Sequence, residues 1–313
     1  MREIGGLDFK GKDVISINDL SRQEIDFILD KAEFIEKLDD GSKSTLLKGK
    51  IMASLFFEPS TRTKDSFNSA MTRLGGTIIG FDSDKSTSIK KGETVWDTAK
   101  MYNTYTDVIV MRHRVEGAAR RAAEAASIPV INGGDGANQH PTQTLLDLYT
   151  IKKTQGRIEG LKVAMCGDLK YGRTVHSLAV ALSHYGCRLY FVAPKSLKMP
   201  NYIQKELTKR GIVFSEHYNL EEVIPLADIL YMTRIQKERF PDEAEYEKVS
   251  GIYILKSNML KHAKENMKVM HPLPRVDEIS TDVDETRHAV YFEQAANGIP
   301  VRQALLCLVL GRL

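Results

Sequence analysis

The run Ser54-Leu-Phe-Phe-Glu-Pro-Ser-Thr-Arg-Thr-Lys-Asp-Ser-Phe67 constrains the chain more than any other stretch. Apolar residues from Ile51 to Phe57 predict a buried strand. Ser60-Thr61-Arg62-Thr63 follows at once, and Phe67, Ala70, Met71 and Leu74 then recur at helical spacing. Gly75-Gly76 ends that helix, and Thr77-Ile-Ile-Gly-Phe81 predicts the next strand. Three hydroxyls and a guanidinium therefore fall on the first turn of a helix that leaves a strand. Unpaired backbone N–H groups and the positive end of the helix dipole point there, which makes an anion site. Arg62 can grip a phosphate or a carboxylate with two parallel hydrogen bonds. The plainer reading of the same residues is an N-cap serine followed by a solvated arginine.

The alternation continues along the chain. Asp107–Met111 predicts a strand ending at Arg112-His113, and Ala118, Ala119, Ala122, Ala123 and Ala126 predict a closely packing helix. Pro129–Asn132 predicts a strand, followed by a glycine turn and His140-Pro-Thr-Gln143. Pro141 suits the first position of a helix, so His140 stands just outside a helix N-terminus. The positive helix end favours a neutral imidazole there, which still donates one hydrogen bond to a developing oxyanion. Between the first two units, Asp82–Gly92 is a polar loop in which Ser88, Lys90 and Lys91 either reach an anion or are simply solvated.

A second set begins at Leu161–Cys166, with strands near Leu189–Val192, Ile212–Phe214 and Ile229–Met232. Two successive βα series predict an α/β fold of two domains, each a mostly parallel sheet flanked by helices. The boundary is placed along the helix that starts at Pro141. Residues 1–141 with about 297–313 make one domain, and about 142–296 the other. The last segment, from about His288 to Leu310, predicts helix packed back on the first domain.

Three stretches of the second domain carry chemistry. Gly167-Asp-Leu-Lys-Tyr-Gly-Arg-Thr174 nearly fits the P-loop pattern, so an ATPase is a competing reading. Against it, Arg173 replaces the lysine that must reach between phosphates, and Asp168 sets a carboxylate beside the cradle. Arg234 and Gln236 lie two apart and share a side of an extended segment. With Arg173, Arg234 gives a dicarboxylate two cationic grips. Lys268-Val-Met-His-Pro-Leu-Pro-Arg275 is a Pro-stiffened turn that presents backbone carbonyls, chiefly that of Leu273, to an amine.

A net charge of +3 is too small to argue for nucleic acid or a membrane surface, and no apolar run approaches a membrane span. The first residues lack the apolar core of a signal peptide. Cys166, Cys187 and Cys307 are far apart in apolar contexts, with no CxxC, so a zinc site in this chain is not expected and a reducing cytoplasm fits.

The run Phe-x-Glu-x-Ser-Thr-Arg-Thr resembles the carbamoyl-phosphate signature of the aspartate and ornithine carbamoyltransferases. His271-Pro-Leu-Pro-Arg275 is similar to the aspartate branch, where ornithine enzymes carry His-Cys-Leu-Pro. The resemblance runs from Ile15-Ser-Ile-Asn-Asp-Leu-Ser21 to the final helix. It implies transfer of the carbamoyl group of carbamoyl phosphate to the amine of L-aspartate, in pyrimidine synthesis, without metal or organic cofactor. It implies that Ser60, Thr61, Arg62, Thr63 and Arg112 hold the phosphate, with Ser88 and Lys91 supplied by a neighbouring subunit. Thr63, Arg112 and His140 would face the carbonyl oxygen, and Gln143 and the Leu273 carbonyl the carbamoyl NH2. Arg173, Thr174, Arg234, Gln236 and Lys91 would take aspartate. The shared loop implies a homotrimer with shared active sites. Likeness to chains that assemble with a zinc-bearing regulatory subunit extends the expectation to a larger complex. An ornithine-type carbamoyltransferase, a P-loop ATPase and a non-catalytic carbamoyl-phosphate-binding module remain as alternatives.

Overall fold

A capping box opens the first long helix, α1 (Arg22–Lys37). The Ser21 hydroxyl accepts from the Glu24 N–H, and the Glu24 carboxylate accepts from the Ser21 N–H. Ile25, Ile28, Leu29, Ala32 and Ile35 put one fully buried face on the core. The polar stretch that follows holds a one-turn helix, α2 (Asp40–Lys43), because the Asp39 carboxylate caps it at Ser42 N–H. The chain is a computed structural model that describes residues 7–83, 91–237, 240 and 242–313.

Then strand and helix alternate: β1 (Ile51–Phe56), α3 (Thr61–Arg73), β2 (Thr77–Phe81), α4 (Val95–Tyr105), β3 (Val108–His113), α5 (Ala118–Ala125), β4 (Val130–Asp135) and α6 (Pro141–Gln155). Each strand pair is parallel, in the order β2-β1-β3-β4. Alanines on α5 let that helix approach Ala53, Ile109, Met111 and Val130 of the sheet.

The second unit continues with β5 (Lys162–Cys166), α7 (Arg173–Ser183), β6 (Arg188–Val192), α8 (Asn201–Lys209), β7 (Phe214–His217), β8 (Ile229–Met232), α9 (Glu243–Glu247), β9 (Lys268–Met270) and α10 (Tyr291–Ala296). Its sheet is again parallel, in the order β7-β6-β5-β8-β9. The strand expected at Ile212–Phe214 starts only at Phe214. Gly211, with φ +72°, turns the chain out of α8, and the Ile212 N–H still bonds back to Leu207. The final segment is two helices, α10 and α11 (Gly298–Val309), and α11 packs on α1 and α3.

The chain divides into Met1–Tyr149 with Asn297–Leu313, and Thr150–Ala296. The break lies after Tyr149 rather than after Pro141, because the first two turns of α6 belong to the first core. Leu145, Leu146, Leu148 and Tyr149 are buried, and the Tyr149 hydroxyl donates to Glu36 of α1 at 2.5 Å. No helix among the described residues is long and apolar enough to cross a membrane.

Candidate active site

The strand order of the first sheet reverses between β1 and β3, and loops leaving two such strands open a crevice where ligands bind. Phe56 and Arg112 are register partners there, and the Phe57 N–H donates to the Arg112 carbonyl at 2.9 Å. Ser60 occupies the N-cap of α3 with extended backbone (φ −158°, ψ 92°), but its hydroxyl makes no capping bond. Its hydroxyl is therefore not used as the plainer reading requires, and the first-turn N–H groups of α3 lack a side-chain cap. Thr61, Arg62 and Thr63 are the first three residues of that helix.

Arg112 donates through Nε and Nη2 to Glu58 Oε1, at 2.8 and 2.7 Å. Arg62 is held below the ordinary guanidinium range, first by partial burial and then by the like charge of Arg112. Two cations that repel one another beside an uncapped helix start are relieved by a bound anion. Thr63 is buried against β4, where a Cβ added to Gly133 would meet its methyl at 3.5 Å. At the end of β4, Asp135 accepts from Gly117 N–H (2.7 Å), Gln139 N–H (3.1 Å) and the Asn138 amide (3.1 Å), which fixes the loop into His140. His140 is buried, and its carbonyl accepts from the N–H groups of Gln143 and Thr144. Gln143 donates from Nε2 to Asp147 at 2.9 Å. Lys91 is exposed, and Ser88 lies outside the described residues.

The second sheet reverses between β5 and β8, where Cys166 and Met232 are register partners. The two departing loops touch. A Cβ on Gly167, whose φ is +118°, would come 2.4 Å from the Thr233 carbonyl oxygen, so only glycine permits the approach. Asp168 N–H donates to Thr233 Oγ1 at 3.0 Å. The Asp168 carboxylate is buried rather than presented to a ligand. It accepts from the N–H groups of Tyr171, at 2.9 Å, and Gln236. Burial raises it above the usual carboxylate range, and those bonds offset part of the rise. A P-loop would offer loop N–H groups to phosphate; here the carboxylate takes them.

Arg173 and Thr174 open α7 behind Gly172, an N-cap with no side-chain bond. Arg234 lines a cavity of about 150 Å³ with Gly167, Thr233, Tyr246, Ser250 and Asp277. Leu273 sits at φ +56°, and its N–H donates to His271 Nδ1 at 2.8 Å. That bond leaves the ring proton on Nε2, which donates to Glu278 Oε1 at 2.6 Å. Both residues are buried. Burial alone would raise the Glu278 carboxyl, but the hydrogen bond from His271, with backbone N–H groups, brings it below the usual range. Arg275 is held by Asp284, with one bond at 2.6 Å, and lies 5.3 Å from the Tyr291 ring centre.

Two family models match the chain: the aspartate/ornithine carbamoyltransferase carbamoyl-P binding domain over residues 12–153, and the Asp/Orn binding domain over residues 159–309. The chain belongs to the aspartate/ornithine carbamoyltransferase family. It is 60% identical over 306 residues to the aspartate carbamoyltransferase catalytic subunit of Thermococcus kodakarensis, covering 97% of this chain and 99% of that one. Among solved structures, it is similar to the catalytic subunit of M. jannaschii aspartate transcarbamoylase, with TM-score 0.89 and 50% identity over 96% of this chain and 98% of that one. The Trypanosoma cruzi aspartate transcarbamoylase in complex with carbamoyl phosphate and aspartate matches with TM-score 0.91 and 41% identity, over 96% and 98% of the two chains.

Within this carbamoyltransferase, Ser60, Thr61, Arg62, Thr63, Arg112, His140 and Gln143 gather at the ends of the first sheet's strands. Arg173, Thr174, Arg234, Gln236 and Leu273 gather at those of the second. Sequence reasoning gave no part to Glu58, Asp147 or the His271–Glu278 pair. The Gln143–Asp147 contact had a signal, since residues four apart on a helix are neighbours.

Proposed function

We propose that this chain transfers the carbamoyl group of carbamoyl phosphate to the amine of L-aspartate, giving N-carbamoyl-L-aspartate and phosphate. The observation that carries the reading is the uncapped start of α3, with Arg62 on its first turn and Arg112 near enough for its charge to act on Arg62. A doubly negative phosphoryl group is the ligand that such a helix start and two cations suit. Ser60, Thr61, Arg62, Thr63 and Arg112 hold that group, with Ser88 and Lys91 from a neighbouring subunit. The unit containing α3 is thus the carbamoyl-phosphate domain, and the unit containing Arg234 the aspartate domain.

The amine nitrogen bonds to the carbamoyl carbon as the C–O bond to phosphate breaks, and phosphate leaves with the electron pair. Thr63, Arg112 and His140 donate to the carbonyl oxygen as it gains charge. Gln143 and the Leu273 carbonyl accept from the carbamoyl NH2. Arg173, Thr174, Arg234, Gln236 and Lys91 take the carboxylates of aspartate. The departing phosphate takes the amine proton, so positioning and charge stabilisation carry the rate.

The working unit is a cytoplasmic homotrimer in pyrimidine synthesis, joined by a zinc-bearing regulatory chain. Ile79 on edge strand β2 and Met101 and Tyr105 on α4 are exposed apolar side chains of the first unit that a neighbouring subunit would cover. The test is formation of carbamoyl aspartate, with L-ornithine as the control acceptor. Turnover of ornithine in place of aspartate sinks the reading. Sedimentation should give three chains of 35.2 kDa.

A further inference from the structure

Gln143 stands on the first turn of α6, and Asp147, to which it donates, is fully buried one turn on. Arg302 of α11, itself 3% exposed, is near enough for the Asp147 charge to act on its guanidinium. Burial pulls the Arg302 guanidinium down to about 10, and the charge of Asp147 opposes that fall, so the cation persists at neutral pH. A Cβ on Gly298 would come 2.1 Å from Arg302 Nη1, which explains why α11 begins on a glycine. On its other side the guanidinium lies 5.0 Å from the ring centre of Phe67 on α3. Asp147 and Arg302 are thus a buried carboxylate and a buried cation that act on one another, with the Gln143 amide on the carboxylate at 2.9 Å.

An ionised carboxylate only accepts hydrogen bonds. The amide that meets it must turn its NH2 inward and its oxygen outward. The two ends of a glutamine amide are nearly the same size, so charge rather than fit makes the choice. We propose that Asp147, backed by Arg302, is a positioning residue that fixes Gln143 with Oε1 toward the substrate, so that the site selects a carbonyl bearing NH2 over the isosteric acyl phosphate bearing methyl. The inference rests on the reading that Gln143 meets the carbamoyl NH2.

The experiment compares kcat/KM for carbamoyl phosphate and for acetyl phosphate, each with aspartate as acceptor. Acetyl phosphate breaks the same C–O bond and yields N-acetylaspartate and phosphate. The intact enzyme, Asp147→Asn, Gln143→Ala and the double variant are measured. An asparagine can offer either end of its amide, so Asp147→Asn should lower the carbamoyl-to-acetyl ratio by about tenfold. Gln143→Ala should lower it as far, and the combination no further. A purely structural Asp147 would slow both substrates alike; an unchanged ratio in Asp147→Asn, with a lowered ratio in Gln143→Ala, overturns the proposal alone. An unchanged ratio in Gln143→Ala overturns the reading of Gln143 and the proposal with it. Because Asp147→Asn strands a buried cation, Asp147→Asn with Arg302→Gln is measured alongside. That pair should lower the ratio equally, and an unchanged ratio there counts against the proposal.

Discussion

Arg112 reaches from the end of β3 to Glu58, which follows β1, and sets two of its nitrogens on one carboxylate oxygen at 2.8 and 2.7 Å. The contact fixes the guanidinium in a crevice whose other cation, Arg62, it repels. Glu58 therefore acts in two opposed ways. It orients Arg112, and its negative charge resists any anion that Arg112 would bind.

For equilibrium binding of a small anion, charge outweighs orientation. Removing a half-exposed carboxylate from such a site changes the anion's energy by about 1 kcal/mol, roughly a fivefold change in Kd. Glu58→Gln should therefore bind inorganic phosphate more tightly by about that factor in calorimetry, while kcat falls because Arg112 is looser. Weaker phosphate binding would show that orientation dominates.

Arg62→Ala and Arg234→Ala should fail differently. Arg62 serves the phosphate, so its loss should cut kcat/KM by roughly 10²- to 10³-fold whatever the acceptor amine. Arg62 is only partly buried and keeps much of its surface in solvent, so stability should hold within about 0.5 kcal/mol. Arg234 lines the cavity of the second unit, and its loss should act mainly on the KM for aspartate. Steady-state kinetics with each substrate varied in turn separates the two. Equal damage to both KM values in both variants would remove the division of labour.

The strand–turn–helix at Ile51–Arg73 was legible because its signal is local: an apolar run, then hydroxyls, then a helical stripe. The contacts that set the site are not local. Arg112 and Glu58 are 54 residues apart, and Asp168 and Thr233 65 apart, so only the sheet order brings them together. In the sequence Asp168 is a carboxylate beside a phosphate cradle; burial beside β8 makes it the tie between two loops. The start of β7 escapes the sequence pattern because a left-handed glycine delays it, a backbone matter that periodicity does not register.

The His271–Glu278 pair supports the Leu273 turn, so Glu278→Gln should destabilise the protein by about 2–4 kcal/mol at pH 7. The Glu278 carboxyl titrates below its usual value of 4.5 in the folded chain. A depressed carboxylate stabilises above its unfolded pKa and loses that contribution as pH falls through the folded one. The gap between the parent and Glu278→Gln should therefore be constant above about pH 5 and narrow below pH 4.5. Urea denaturation at several pH values measures it, and a gap that widens toward acid contradicts the pairing.

Gly167→Ala tests the junction of β5 and β8. The backbone there has φ +118°, a region closed to residues with a Cβ, and the added carbon would press on the Thr233 carbonyl at 2.4 Å. Both costs fall on one residue, so about 2–4 kcal/mol of stability should be lost. The strain has one outlet, displacement of the Thr233–Gln236 segment away from Asp168, because β5 and β8 are locked in register below it. That segment carries Arg234 and Gln236, so the KM for aspartate should rise at least tenfold while the KM for carbamoyl phosphate stays within about twofold. Kinetics below the unfolding temperature, with stability followed by denaturant titration, reads both effects. A variant as stable as the parent, with aspartate KM unchanged, would mean that the two loops do not meet as closely as Gly167 implies.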